Sequence, residues 1–565
     1  MNKCLILYFV CFYAITANSQ LDPDSTRFIS PIHHAITISG SFGELRPNHF
    51  HSGIDLKSSK GVDGDIVMSA EDGYVSRIKI QASGYGNALY IDHPNGYTTV
   101  YAHLASFNAE LDSFVKAKQY ALKSFALDLY LAPNEIRLSK GETIGYMGNS
   151  GRSYGTHLHF EIRETISEHV MNPFLFGIVP EDTKNPQLKQ VLLYSLDKDF
   201  IPTAQKTLKV KKSKSGALYL SSKPIEIDGW RLGIGIDTYD WMDGSWNKNG
   251  IYSSDFFVDD SLVFTVLFDE FSFDQTRYAN ACIDYQRKQK KGGNRVMKLY
   301  KEPGNALEIY DRNGANGVIP IYADKTQEIK IRSMDFHGNA SEVRFDVKRK
   351  SEVSPIESRT YNYYFHYDSI NIIQGQHLNI ELPESSLYRN HLFQFSQEGN
   401  TFTVGDKTIP CHRYYTIRYD LSGVPNLPAD KVCLLFKNGK GFKSFGGKVE
   451  NNVLIAKTNR FGSFKIDIDT IPPTISKVSK NKSYKHEDLI DFTIKDNIEV
   501  LGSASDVSIH VYIDSEWTLH YFDKKKNRIR VPVEARLSKG QHSILVTAAD
   551  NLGNTQRYST NFSVK

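Results

Sequence analysis

His51, Asp55, His157 and His159 combine metal-ligating side chains with short, regular intervals along the chain. His51-Ser52-Gly53-Ile54-Asp55 sets an imidazole and a carboxylate four residues apart. His157-Leu158-His159 lies in a segment that reads as a strand, where a side-chain period of two aims both rings at one face. Hydrolytic zinc takes three protein ligands, usually two imidazoles and a carboxylate or three imidazoles, and keeps an open position for water. That set is available here, and both rings of the second pair can reach one metal-centred site. His103, at the end of the segment Tyr101-Ala102-His103-Leu104, adds a further imidazole. Isolated His-x-His or His-x-x-x-Asp pairs arise by chance, but these bracket one compact β-type stretch. His49-Phe50-His51 is a second His-x-His pair with its own claim on a metal; His51 alone has the HxGxD spacing. His33, His34 and His93 read as loop or surface residues, His93 because it adjoins the turn Pro94-Asn95-Gly96.

Periodicity in the surrounding sequence marks the strands and the helix that hold these side chains. Between Gly61 and Tyr101 apolar and polar residues alternate, as in GDIVMSA, GYVSRIKI and NALYID, broken at Asp72-Gly73, Gly84 to Gly86 and Asn95-Gly96. Such a pattern predicts short antiparallel strands joined by tight turns. From Asn108 the period changes: Leu111, Phe114, Val115, Ala121, Leu122 and Phe125 recur at helical spacing, with Asn108 as N-cap. A helix is therefore expected between two strands. The β pattern returns in ETIGYMGN and THLHFEIR, with the glycine-rich GNSGRSYG between them, and the first domain closes near Gly177.

HxGxD, YAHL and GTHLHFEI, in this order, resemble the lysostaphin/LytM-type zinc endopeptidases that cut peptidoglycan peptides. The resemblance runs from about Pro31 to Phe176 and extends to the SFG near Ser41, GDIVMSAEDGYV, GYGNALYIDHPNGYTTVYAHL and KGETIGYMGNSG. It implies that His51, Asp55 and His159 correspond to the zinc ligands, one Zn2+ per catalytic domain. It implies further that His103 and His157 match the histidines that assist catalysis without necessarily binding metal. Two neutral imidazoles and one carboxylate leave a zinc site net positive, which lowers the pKa of bound water and polarises a scissile carbonyl. Which histidine acts as base is left open. The Asn108 to Asn134 insertion departs from the shorter family members, and reads either as a helix packing against the β-domain or as a wall or lid of the substrate groove.

A chain of 565 residues exceeds what one hydrophobic core usually organises. With 40% hydrophobic and 12% aromatic residues it is globular rather than disordered, and the aromatic excess leans towards β-structure. Beyond a linker around Val179 to Gln187, β-type segments continue between Gly, Asn, Asp and Pro turns. One internal repeat is visible: Glu328 to Val347 and Ser543 to Val564 each read strand, D-x-x-G-N turn, strand. The expected fold is mainly β: an antiparallel β catalytic domain of the LytM/duplicated-hybrid-motif type with a helical insertion, followed by β-sandwich (Ig-like) modules. The expected boundaries are a signal peptide at 1–19, a zinc metallopeptidase domain at 20–180 with its insertion at about 108–134, and modules at 188–350, 360–468 and 470–565.

The apolar run from Cys4 to Ala17 follows Lys3 and falls short of a bilayer span, so it reads as a signal peptide cleaved before Gln20. The chain is then secreted, to the periplasm, the cell envelope or the extracellular space, with no transmembrane segment after cleavage. Cys282, Cys411 and Cys433 form no disulfide framework; pairing of Cys411 with Cys433 and three buried thiols are both open. A formal charge of +4 is too small to argue for nucleic acid. The expected partner is peptidoglycan, with wall or protein partners for the β-modules. The expected function is a secreted zinc metalloendopeptidase that hydrolyses peptide cross-links or stem peptides of peptidoglycan through zinc-activated water. The alternatives are a non-catalytic LytM-type activator or scaffold for other wall hydrolases, or a zinc endopeptidase acting on non-wall proteins.

Overall fold

A computed structural model describes residues 27–292, 296–310, 316–352, 360–423, 428–501 and 507–565. The signal-peptide segment 1–19 lies outside the described residues. Among the described residues no helix is long and apolar enough to cross a membrane.

The fold is mainly β, and its first part is organised around the strand His157–Glu164, whose residues after His157 are nearly all buried. On one side this strand pairs antiparallel with Ile54–Lys57, and on the other with Tyr97–Leu104. Asn87–Asp92, Gly73–Ile80 and Leu127–Tyr130 continue the sheet outwards. A smaller sheet of Ile66–Met68, Thr143–Tyr146 and Ser106–Phe107 lies beside it. Only the first half of the insertion is helical. Helix Ala109–Leu122 starts where the Asn108 side chain accepts the Leu111 N–H, and stops at Lys123, which takes a left-handed φ of 48°. Phe125 falls beyond it, and Leu127–Tyr130 is an edge strand on Gly73–Ile80 instead.

The core of this first part does not end at Gly177. Phe42 and Phe50 pack against Phe268 and Phe271 of the following segment, and Glu270–Phe271 pairs with Val170–Met171 at the edge of the main sheet. One contiguous apolar cluster therefore runs from Phe28 to Val347. Residues 365–466 and 475–564 each build a separate core between two sheets. Cys282, Cys411 and Cys433 are all buried free thiols, so Cys411 and Cys433 do not pair. His93, expected in a loop or at the surface, is buried with its ring between the Asp72 carbonyl and the Thr99 hydroxyl.

The helix of the insertion packs on the C-terminal module. Lys116 pairs with Glu534 at 2.7 Å, Tyr120 hydrogen-bonds the same carboxylate, and the Tyr120 ring meets Trp517 edge-on at 5.4 Å. Nearby, Lys525 Nζ donates to the Ser153 carbonyl at 2.6 Å, in the glycine-rich loop.

Candidate metal centre

Strand register brings the first two groups together. His159 lies opposite Asp55 in the antiparallel pair, so their side chains emerge as neighbours on one face. The pairing is close because residue 53 is glycine: a Cβ there would stand 2.2 Å from the Phe160 carbonyl oxygen and 2.9 Å from Glu161 Cγ. His51 enters from the turn before this strand, its Nδ1 donating to the Ser41 carbonyl at 2.8 Å, which leaves Nε2 as a lone-pair donor.

His51 Nε2, Asp55 Oδ1 and His159 Nδ1 form a triangle with every edge 3.0 Å. All three residues are buried. The edge is slightly tighter than the ~3.3 Å between ligands of a tetrahedral zinc site. His159 gives its other nitrogen, Nε2, to Glu161 Oε1 at 2.8 Å, so in the neutral ring Nδ1 also carries a lone pair. Three acceptor atoms facing one another at 3.0 Å need a cation or a proton between them. The donor set therefore fits a metal ion. Without one, His159 takes the proton: burial opposes its charge, but hydrogen bonds to Asp55 and Glu161 outweigh burial and raise its pKa to about 9. Burial likewise opposes charge on Asp55, yet the surrounding histidines hold its carboxyl well below the usual range. Burial lowers His51 to about 4 and keeps it neutral.

His103 reaches the same face by a bulge. Ala102 is the residue opposite His159, so simple alternation would send His103 to the far side. The register slips between Asn87 and Leu89, and His103 adopts φ 63°, which turns its ring back towards the triangle. Its Nδ1 donates to the Ser150 carbonyl at 2.9 Å, and its ring lies 4.9 Å from that of His157 and 5.9 Å from that of His159. Burial, followed by the neighbouring His159 and His157, lowers its pKa to about 3. His157 Nδ1 is 2.8 Å from the Gly155 carbonyl, and Nε2 lies 3.5 Å from Asp55 Oδ1. All five residues singled out by spacing and resemblance thus converge. His49 does not: it is exposed and its Nδ1 meets the Pro47 carbonyl.

Several supporting residues escape the sequence reading. Glu161 is fully buried and accepts from His159, from Ser52 Oγ at 2.5 Å, from the Tyr85 hydroxyl, and from Arg163 through Nε at 2.8 Å and Nη2 at 2.6 Å. Tyr85 stacks on the His159 ring at 5.3 Å. Burial opposes charge on Glu161, but Arg163 and His159 hold it ionised. The signal for this pair was the same period of two that places His157 and His159 together, carried on to residues 161 and 163. Arg46 Nη2, from the segment before the HxGxD motif, donates to Asp55 Oδ2 at 2.9 Å; no spacing pointed to it.

Residues 49–121 match the family model described as Peptidase family M23, and residues 362–469 the one described as a Zu5-like domain. The DD-carboxypeptidase/endopeptidase Mpg of Neisseria meningitidis serogroup B is 35% identical over 153 residues, 26% of this chain and 29% of that protein. The murein hydrolase activator NlpD of Escherichia coli is 31% identical over 113 residues, 20% of this chain and 23% of that protein. The chain thus spans less than a third of the length of these curated relatives. Among solved structures, the catalytic domain of lysostaphin from Staphylococcus simulans is 20% identical, covering 24% of this chain and 87% of that one with a TM-score of 0.18.

Proposed function

We propose, from an N-terminal domain of the lysostaphin/LytM type within peptidase family M23, that this chain is a secreted zinc metalloendopeptidase hydrolysing peptide cross-links or stem peptides of bacterial peptidoglycan. The observation that carries the reading is the 3.0 Å triangle of His51 Nε2, Asp55 Oδ1 and His159 Nδ1 with His103 and His157 beside it. The substrate class draws on the similarity to Mpg, and secretion on the apolar run from Cys4 to Ala17.

In this reading His51, Asp55 and His159 hold the zinc. When bound, zinc supplies a Lewis acid that polarises a peptide carbonyl and lowers the pKa of water. His103 and His157 do the proton work. His103 has Nδ1–H tied to Ser150 and is kept neutral, so its Nε2 is a lone pair that accepts a proton and afterwards returns it to the leaving amine. His157, with Nδ1 at the Gly155 carbonyl, faces the same side and shares the handling of the proton or steadies the oxyanion. Glu161 and Arg46 orient the ligands through His159 Nε2 and Asp55 Oδ2.

The similarity to NlpD favours a second reading, a non-catalytic activator of other wall hydrolases. The intact donor triangle favours the enzyme. Bound zinc and release of peptides from purified peptidoglycan, measured together on the mature protein and on His159→Ala, decide between them. Stoichiometric zinc with release abolished in the variant is the expected result; no zinc uptake and no release by the mature protein after zinc addition would leave the activator.

A further inference from the structure

Away from the histidine centre, three buried carboxylates meet where the segment after the first domain joins the second. Asp182, Asp240 and Asp335 each place an oxygen within 4.8 Å of the others. Asp240 is 0% exposed. Neither of its carboxyl oxygens has a hydrogen-bond donor in bonding geometry, and Asp182 Oδ2 has none either. The Trp241 backbone amide is near enough only to favour the ionised form of Asp240. Directly across a β-bridge from Asp240 stands Asn249, 2% exposed, whose side-chain Oδ1 is also without a donor. Among the described residues no Lys or Arg lies within ion-pairing distance of the three carboxylates; His337 acts on Asp335 only from a distance. Asp335 is held by the Asn339 amide N–H at 2.9 Å and Nδ2 at 2.8 Å, and Asp182 Oδ1 by the Lys184 N–H at 3.0 Å, which leaves Asp182 Oδ2, both Asp240 oxygens and Asn249 Oδ1 gathered out of water without a donor, a costly arrangement. Burial first, then Asp182 and Asp335, push Asp240 up to about 8.

The same build recurs at the other end of the chain. Asp469, Asp496 and Asp550 form a second trio within the same 4.8 Å limit. Asp182 and Asp469 both open a D-T-x-x-P stretch, and Asp335 and Asp550 both open a D-x-x-G-N turn. Asp240 and Asp496 each directly follow a strand, Arg231–Tyr239 and Leu489–Lys495. Asn339 N donates to Asp335 Oδ1 at 2.9 Å, and Asn554 N to Asp550 Oδ1 at 2.9 Å. Asn339 Nδ2 reaches the Asp182 carbonyl at 3.3 Å, and Asn554 Nδ2 the Asp469 carbonyl at 2.9 Å. Each trio ties an incoming linker to a strand end and a turn of the module that follows.

We propose that Asp182, Asp240 and Asp335, with Asn249 Oδ1, bind a calcium-class divalent cation that locks the linker onto the second module. The donors are all oxygen, with no imidazole or thiolate, which selects a hard cation over zinc. A buried, carboxylate-rich site with an amide oxygen suits Ca2+, which accepts irregular oxygen shells, better than Mg2+, which keeps its water. The site is separate from the histidine centre in place and in chemistry.

The experiment uses the full-length mature protein, stripped with EDTA and reloaded with one equivalent of zinc. Calcium uptake is measured by calorimetry, together with terbium luminescence excited through tryptophan, since Trp241 adjoins Asp240. The expected result is saturable binding, calcium displacing terbium, and a rise in Tm of about 5 °C or more. Asp240→Asn, nearly isosteric, takes up one calcium fewer than the wild type while retaining its zinc. If that variant does not fold, Asp182→Asn, which alters the unpartnered Oδ2 of the same trio, takes its place and is expected to lose the same single equivalent. Absence of calcium binding by the wild type, with Tm unmoved by calcium, would mean that the carboxyls share a proton and would overturn the proposal, as would equal uptake by a folded Asp240→Asn.

Discussion

Arg46 and Asp55 divide a carboxylate between two tasks: Arg46 Nη2 holds Oδ2 at 2.9 Å, while Oδ1 stands 3.0 Å from both His51 Nε2 and His159 Nδ1. Two effects of the guanidinium oppose each other. Its charge weakens the attraction of the site for a dication, and its hydrogen bond fixes the carboxylate in a one-oxygen mode. The Arg46 side chain is 31% exposed, so solvent screens the charge more than it loosens the bond. Orientation should win. Arg46→Ala is expected to keep its fold and to bind zinc about 10–100-fold more weakly in a chelator competition; tighter zinc binding would show that repulsion dominates instead.

Glu161 and Arg163 separate stability from positioning. The pair is buried, with side chains 0% and 8% exposed, so Glu161→Ala strands a guanidinium and should cost about 3–5 kcal/mol in urea unfolding. Replacing both partners together, Glu161→Leu with Arg163→Met, should recover most of that stability. Zinc retention should not recover, because His159 Nε2 has lost its carboxylate and either ring tautomer becomes open to it. A double variant that holds zinc as tightly as the wild type would rule out a positioning role for Glu161.

How much of this was legible in the sequence depends on what sets each position. The facing of His157 and His159 follows from strand periodicity alone, and the helix start follows from Asn108 and the apolar spacing of Leu111 and Val115. The pairing of Asp55 with His159 is a matter of register between strands about a hundred residues apart, which composition does not encode locally. His103 needed the family resemblance, because a bulge reverses its face and a non-glycine residue at φ 63° leaves no mark in a hydrophobic pattern. Leu127–Tyr130 is too short for its alternation to be told from the end of a helix. The core shared by Phe42, Phe50, Phe268 and Phe271 joins segments that each look complete on their own. The D-x-x-G-N repeat was visible, but the carboxylates that it gathers come from the linker and a strand end, so only the folded chain unites them.

Gly53 explains the glycine of the HxGxD motif sterically. Adding a methyl group at residue 53 drives a Cβ to 2.2 Å from the Phe160 carbonyl oxygen, a backbone atom of the strand that carries His159. The strands must part for it to fit. Gly53→Ala is expected to lower stability by about 1–3 kcal/mol and to reduce bound zinc below one equivalent, since parting the strands moves Asp55 away from His159. Differential scanning calorimetry with metal analysis checks both. Full zinc occupancy in the variant would mean that the site tolerates the displacement.

Acid should loosen the C-terminal module from the insertion helix, and His520 sets the range. His520 is buried beside the Tyr120 contact, its Nδ1 near the Thr518 carbonyl. Burial lowers its pKa from the 6.5 of a free imidazole to about 4. Between pH 6.5 and 4 the unfolded module binds the proton and the folded one does not, so stability falls as pH drops through that range and is level above it. The shift corresponds to about 3 kcal/mol. Glu534 works in the same sense: burial opposes its charge, but hydrogen bonds from Lys116, Tyr120 and Arg536 lower its pKa, and the stability they provide is lost as the carboxylate protonates at still lower pH. His542 opposes both, since its bond to Asp514 raises its pKa and stabilises the protonated form, yet the Asp514 side chain is 48% exposed and solvent screens the pair. Hydrogen-exchange protection of the strand Val507–Ile513 should therefore fall on acidification from pH 6.5. In His520→Gln that fall should be largely absent above pH 4.5, and an unchanged profile there would assign the acid response to other groups.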